Sequence, residues 1–325
     1  MRLLLTGSTG WLGRHLAPRL AALGHEVTGL DVAPGPHTQV TGSVADRALI
    51  DQIFGNRGIE AVIHAGALHK PDITRFPARA FVDTNVTGTL NLLEAAVAAG
   101  HDRFVMTSTT SLMISQAVRD EVSKEAVWMD ETYAPLAPRN IYGVTKLAAE
   151  SLCRQVHGET GLGVVILRTS RFFPEDDDTH SDPPPENLKA IEFLHRRLTV
   201  EDAAEAHVVA LEKAVEIGFG LYIASAATPF TREDCAALKA DAAGVVAKYF
   251  PEAPDLFARK GWKLPASIGR VYDAARMERD LGFRCRTDFA AILNALKSGD
   301  PMPFAHDGGF VSPSTLGASL ITGGA

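Results

Sequence analysis

Tyr142 and Lys146 stand four residues apart in the helix-compatible stretch Asn140-Ile141-Tyr142-Gly143-Val144-Thr145-Lys146-Leu147-Ala148-Ala149-Glu150. Four residues is about one helical turn, so both side chains project from one face. A free tyrosine has a pKa near ~10 and is a poor base at neutral pH. An ammonium held beside it, together with the positively charged ring of a nicotinamide cofactor, favours the phenolate in a dry cleft and lowers that pKa. A lowering of ~2–3 units corresponds to ~3–4 kcal/mol of differential stabilisation. Such a phenolate can take a proton from a hydroxyl while hydride leaves the adjacent carbon. The reacting oxygen also needs a hydroxyl partner. The strand-like run Arg103-Phe104-Val105-Met106-Thr107 leads into Ser108-Thr109-Thr110-Ser111, and so many hydroxyls at a strand end are an unusual way to fill a core. Thr109 is the predicted partner, with Thr110 and Ser111 as alternates facing the substrate.

Hydride needs an acceptor, and the N-terminus offers a seat for one. A nearly all-aliphatic run, Met1 to Thr6, stops at Gly7-Ser8-Thr9-Gly10-Trp11-Leu12-Gly13, where an apolar, helix-compatible stretch to Leu23 begins. A buried strand turning through glycines into a helix N-terminus holds a pyrophosphate, because the free N–H groups and the helix dipole attract the anion. Asp31 closes the next apolar strand, Glu26 to Asp31. Its carboxylate would accept from both ribose hydroxyls of an adenosine and repel a 2′-phosphate. No Arg or Lys adjoins it, so the expected cofactor is NAD rather than NADP. The strand Ala61 to Ala67 ends in the small residues Ala65, Gly66 and Ala67, which let a ligand cross the sheet edge. Thr107 and Thr169, at strand ends, are expected against the same cofactor, and Lys146 is expected to reach its nicotinamide ribose. Asn85 lies near the start of a helix read from Asp83 to Ala96, as a cap or as an orienting group. Val44 and Asp46 carry two readings of equal weight: the adenine edge, or simply an N-cap at Asp46 for a helix from Arg47. His64, inside its apolar strand, reads as a core histidine.

Strand-like and helix-like runs alternate up to Gly163-Val164-Val165-Ile166-Leu167-Arg168. That alternation predicts an α/β fold: a Rossmann-type doubly wound parallel sheet with a smaller C-terminal substrate-binding lobe. The expected division is a nucleotide-binding domain over residues 1–168, with 200–225 returning to it, and a substrate lobe over 169–199 and 226–298. Residues 299–325, rich in Gly, Ser and Pro, read as a flexible tail. The polar segment from Leu112 to Arg139 is expected to loop over the cleft. The acidic, proline-rich stretch from Arg171 to Pro185 reads as a lid, with a solvated surface loop as the plainer alternative.

Composition narrows the class. A net charge of -7 over 325 residues argues against a nucleic-acid partner, since phosphate backbones select basic surfaces. Cys153, Cys235 and Cys285 have neither metal-site spacing nor a disulfide framework, which suits a reducing cytosol and no metal. No stretch approaches the ~20 apolar residues that span a bilayer. The expectation is a cytoplasmic enzyme with a small-molecule substrate and no membrane partner.

Together these segments resemble the extended short-chain dehydrogenase/reductase superfamily, in particular the NAD-dependent epimerase/dehydratase family. The resemblance rests on Thr6 to Gly13, Asp31, Asn85-Val86-Thr87-Gly88-Thr89-Leu90-Asn91-Leu92-Leu93-Glu94, Tyr142 to Lys146, Arg168 and Val200-Glu201-Asp202-Ala203-Ala204-Glu205-Ala206. It covers roughly residues 1 to 295. It implies bound NAD, Tyr142 as acid/base with Lys146 as its partner, Thr109 as the hydroxyl residue, and a homodimer packed through the helices after Asn85 and Tyr142. Departures narrow the reaction. Sugar-nucleotide dehydratases of the family place an Asp-Glu pair after the catalytic threonine, whereas Thr110-Ser111 stands here, which argues against dehydration. An asparagine and Gly-Pro turn after the strand-ending arginine are replaced by Arg171-Phe172-Phe173-Pro174, and Arg171 is the residue expected to meet a phosphate or carboxylate. The expected activity is an NAD-dependent epimerase or oxidoreductase acting on a secondary alcohol of a sugar or sugar nucleotide. The rival reading is a non-catalytic NAD-sensing or scaffold protein, although such proteins commonly lose the Tyr–Lys pair.

Overall fold

Leu3, Leu4 and Leu5 are wholly buried, and the sheet is built outward from them. The computed structural model describes residues 1–176 and 182–322. Among these, nine strands run in chain order: β1 (Arg2–Thr6), β2 (Glu26–Asp31), β3 (Val40–Thr41), β4 (Ala61–His64), β5 (Arg103–Thr109), β6 (Val127–Met129), β7 (Gly163–Thr169), β8 (Phe219–Ala224) and β9 (Arg270–Tyr272). Seven of them form one parallel sheet in the order β3-β2-β1-β4-β5-β7-β8. Buried on both faces, these strands have no need of polar alternation, which is why they read as aliphatic runs. The helices Trp11–Ala22 and Val200–Ile217 cover one face, and Arg47–Arg57, Gly88–Ala98 and Ile141–Thr160 the other. The strand order reverses between β1 and β4, and the crevice beyond their C-terminal ends is where such sheets hold ligands.

At the sheet's end β8 lies beside β7, with Leu221 opposite Ile166 and Ala224 opposite Thr169. At the opposite edge β3 is only two residues long, so Ser43 and Val44 lie past its end. Some expectations are corrected. The irregular segment before Arg139 contributes β6, which pairs in parallel with β9 (Val127 opposite Arg270) and so ties that segment to the C-terminal lobe. This lobe has its own core, including Leu188, Phe193, Leu238, Phe257, Phe289 and Ile292.

Asn85 does not start a helix. Helical structure runs from Ala78 to Ala98, with a π-helical stretch at Val82–Thr87 that contains it. Nor is the tail loose through its whole length, because Phe304, Pro313, Ser314 and Ile321 are buried against the body of the protein. Its Gly and Ser content hides these anchors. In the acidic loop, Asp177 and Asp178 lie outside the described residues, as do residues 323–325 of the tail.

Two buried histidines give the fold a pH signature. His64 bonds Thr6 and Thr89 through its two ring nitrogens, and His207 bonds Thr107 and the Ala203 carbonyl. Burial, with the Lys146 charge adding to it, drives His64 down to about 3. Burial drives His207 down to about 4, against the pull of the Ala203 carbonyl. Both are neutral when folded and titrate near 6.5 when unfolded, so the unfolded chain binds more protons as pH falls. Their stabilisation is complete above about pH 6.5 and drains away below it, by about 1.4 kcal/mol per pH unit for each histidine down to its folded pKa. Melting followed from pH 7 to pH 4.5 is expected to show uptake of roughly two protons on unfolding from these groups; a flat melting temperature would contradict this.

Candidate active site

The glycine turn is packed so closely that side chains are excluded. Gly7 has φ +74°, and a Cβ on Gly13 would sit 2.2 Å from the Gly7 carbonyl oxygen. The turn delivers the chain into the helix Trp11–Ala22, whose N-cap is Gly10 and so offers no side-chain acceptor to the first-turn N–H groups. Such uncapped donors at a positive helix end are what an anion requires. Beside them the Asp31 carboxylate accepts from the N–H groups of Thr9 and Ala33, each at 3.0 Å. Burial pushes its pKa up, and those backbone donors pull it back.

A cavity of about 490 Å³ runs along the C-terminal ends of the strands. Gly7, Gly10, Trp11, Leu12, Asp31, Val44, Ala65, Gly66 and Ala67 line one half. Thr107, Thr109, Thr110, Ser111, Tyr142, Lys146, Thr169 and Arg171 line the other. Four of the anticipated residues stand behind this wall. Thr9 braces Asp31 and the Ala33 carbonyl. Gly13 packs beneath Gly7 and Ser8. Asp46 is the N-cap alone, accepting from Leu49 N at 3.1 Å. Asn85 clamps Leu68 through that residue's N–H and carbonyl and donates to Thr145 Oγ1, fixing the loop after β4 against the helix that carries Tyr142.

That helix begins at the Asn140 cap, whose Oδ1 accepts from Gly143 N at 2.9 Å, and Tyr142 falls in its first turn. Across the cavity, Thr109 ends β5 and its hydroxyl accepts from Ser111 N. The Thr109 hydroxyl lies near enough to the phenol to draw the Tyr142 pKa down, whereas the Thr110 hydroxyl turns to the Thr169 carbonyl at 3.4 Å. Of the three candidate hydroxyls, Thr109 is the one that acts on the phenol. Lys146 is only 2% exposed. Among the described residues none accepts a hydrogen bond from its ammonium, which leaves those donors for a ligand.

Burial pushes Tyr142 up to about 12, with the Thr109 hydrogen bond pulling the other way. Burial also brings Lys146 down to about 8, despite the Glu150 charge that favours its cation. In the protein alone, desolvation therefore outweighs the help a neighbouring ammonium can give the phenolate. A positively charged ring in the cleft would have to supply the rest.

One turn beyond Lys146, Glu150 accepts from Ser108 Oγ at 2.6 Å and from Arg168 Nη2 at 2.7 Å. All three are buried. The trio locks the tyrosine-bearing helix to β5 and β7. The same cavity is also lined by cations that the sequence did not single out: Arg119, Arg139, Arg196 and Arg270. Burial and the charges of Arg119 and Arg270 together lower Arg139. They come from segments far apart in the chain, so no local spacing announces them. Among the described residues no group of His, Cys, Asp and Glu could hold a metal, and no helix is long and apolar enough to cross a membrane.

The sequence profile of the NAD-dependent epimerase/dehydratase family matches residues 3–220. UDP-glucose 4-epimerase of Rhizobium meliloti is 33% identical over 173 residues, covering 51% of this chain and 50% of that protein. GDP-6-deoxy-D-mannose reductase of Pseudomonas aeruginosa is 38% identical over 169 residues, covering 51% of each. The chain thus spans about half the length of these curated relatives. A short-chain dehydrogenase/reductase superfamily protein from Agrobacterium tumefaciens, solved with bound NAD, superposes with a TM-score of 0.65 over 92% of this chain and 96% of that one, at 23% identity. That likeness shows a shared fold.

Proposed function

The chain belongs to the NAD-dependent epimerase/dehydratase family, and from that premise we propose that it is an NAD-dependent epimerase or oxidoreductase acting on a secondary alcohol of a sugar or sugar nucleotide. The observation that carries this reading is the meeting of Thr109, Tyr142 and Lys146 on the cavity that the glycine turn and Asp31 also line. When bound, NAD supplies a hydride acceptor. Gly7 and Gly10 admit its pyrophosphate to the helix N-terminus, Asp31 holds the adenosine ribose, and Lys146 holds the nicotinamide ribose. Thr109 bonds the substrate oxygen and orients it toward the Tyr142 phenolate, which takes the hydroxyl proton. In an epimerase, Tyr142 returns that proton when reduction occurs on the opposite face of the ketone. In a dehydrogenase the ketone departs. Elimination requires further acid/base groups beside Thr109, and Thr110 and Ser111 offer only hydroxyls, so dehydration is not part of this proposal.

The arginines lining the cavity favour a substrate bearing phosphate or carboxylate, because each can present a planar fork to such a group. Arg270→Ala and Arg139→Ala are each expected to raise KM for an anionic substrate about tenfold or more, with kcat largely kept, since a charged hydrogen bond is worth about 1.5–3 kcal/mol. Steady-state kinetics on sugar nucleotides, uronic acids and neutral sugars would check this; an unchanged KM would remove these arginines from the site. A homodimer remains part of the proposal. Val144, on the outer face of the tyrosine-bearing helix, is 48% exposed, and Val82 is exposed as well. Light scattering should report twice the chain mass, and a monomer would contradict it. The first experiment is to identify any co-purified nucleotide by mass and then to screen sugars and sugar nucleotides with NAD; absence of both a bound nucleotide and turnover would overturn the assignment.

A further inference from the structure

The chain leaves the core of the C-terminal lobe at Phe304, which stacks on Phe193 with ring centres 5.8 Å apart. Asp307 N donates to the Pro174 carbonyl at 2.9 Å. The chain then crosses to the nucleotide-binding side. Phe310 meets the Trp11 ring edge-on at 5.3 Å, and the Arg14 guanidinium lies over Phe310 at 5.8 Å. Ser314 Oγ donates to Oδ1 of the wholly buried Asp72 at 2.6 Å. Gly317 passes so close to Val32, the neighbour of Asp31, that a Cβ on it would lie 2.6 Å from the Val32 carbonyl oxygen. Ile321 ends the crossing in an apolar group with Leu68, Phe76 and Phe81. These contacts fall on the helix after the glycine turn, on the end of β2 and on the loops after β4. Those elements frame the dinucleotide half of the cleft, and Phe310, Ser312, Pro313, Ser314 and Ile321 supply part of its wall.

We propose that residues 310–321 are a strap that completes the cofactor site from outside, so that NAD leaves only when the strap lifts. The proposal rests on NAD occupying the glycine-turn cleft. A strap held by Phe310 between Trp11 and Arg14, one hydroxyl–carboxylate bond, the packing of Gly317 on Val32 and one small apolar group is weak enough to open and strong enough to slow release. A cofactor retained in this way is reoxidised where it sits, which is the behaviour of the epimerase arm.

The test loads the full-length protein with NADH and follows loss of its fluorescence as excess NAD displaces it. Phe310→Ala/Ser314→Ala is expected to release NADH at least about tenfold faster, since about 1.4 kcal/mol of lost contact is a tenfold change. In the unaltered protein, amide hydrogen exchange across 310–321 is expected to slow when NAD is added. Release at the unaltered rate from a folded variant overturns the proposal, whatever the exchange shows. If the variant does not fold, the exchange measurement decides alone: protection supports the strap, and its absence overturns it. A protein that binds NAD but fails these tests loses only the strap. A protein that binds no NAD loses the cofactor assignment and the strap together.

Discussion

Replacing Tyr142 by phenylalanine is expected to lower kcat by about 10²–10⁴-fold, the usual contribution of a positioned acid/base group, with NAD affinity and melting temperature nearly kept. The change removes one oxygen from the cavity wall and leaves the Asn140 cap, Lys146 and the glycine turn in place. Thr109 keeps the hydrogen bond from Ser111 N at 3.1 Å, so the substrate oxygen retains its orienting partner and loses only its base. The pH dependence has a definite sign. With burial holding the phenol at about 12 in the protein alone, oxidation of the alcohol should accelerate as pH rises toward the group's pKa in the NAD complex. That pKa lies below the value without NAD, because a positive ring nearby stabilises phenolate. Phenolate absorbance titrated with and without NAD would show the shift as a difference between Tyr142 and Tyr142→Phe proteins. Identical titrations would remove Tyr142 from the base role.

Glu150→Ala is expected to destabilise the fold by about 3–5 kcal/mol, because it strands a buried guanidinium. Arg168 is 3% exposed and Glu150 4%. Among the described residues the Arg168 Nη1 already has no hydrogen-bond partner, so its charge leans on the carboxylate through Nε and Nη2. The same change frees Ser108 Oγ, one residue from Thr109. Activity surviving at low temperature should therefore fall as well, by loosening the helix that carries Tyr142 against β5. Glu150→Ala/Arg168→Met, which removes both charges, should recover much of the lost stability but not the alignment. Denaturant unfolding of the three proteins checks this order; a Glu150→Ala protein within about 1 kcal/mol of the parent would show that the pair is not structural.

Much of this was legible in the chain because each signal was local. The aliphatic runs marked the strands, glycine spacing marked the turn, and the four-residue interval put Tyr142 and Lys146 on one face. Asn85 shows where local reading stops. Its type suggested a helix start, yet it sits inside a helical stretch and acts through Leu68 and Thr145, partners set by tertiary packing. Asp46 shows the reverse, since a cap reading suffices and the cavity lies elsewhere. The size of the burial effect on Tyr142 in the protein alone was not legible, because spacing reports which charges are near but not how much water is excluded. The arginines and the anchors of the C-terminal segment were not legible because their meaning depends on partners brought together only by the fold, as with Ser314 on Asp72.

The central claim is that hydride passes between a substrate alcohol and NAD with Tyr142 handling the proton. It is tested most directly by mixing NAD-loaded protein with sugar nucleotides and uronic acids and following the near-ultraviolet absorbance of reduced nicotinamide. The account predicts a rise with at least one anionic sugar, transient in an epimerase and sustained in a dehydrogenase, and strongly suppressed in Tyr142→Phe. No rise with any of them, or an equal rise in Tyr142→Phe, would contradict it.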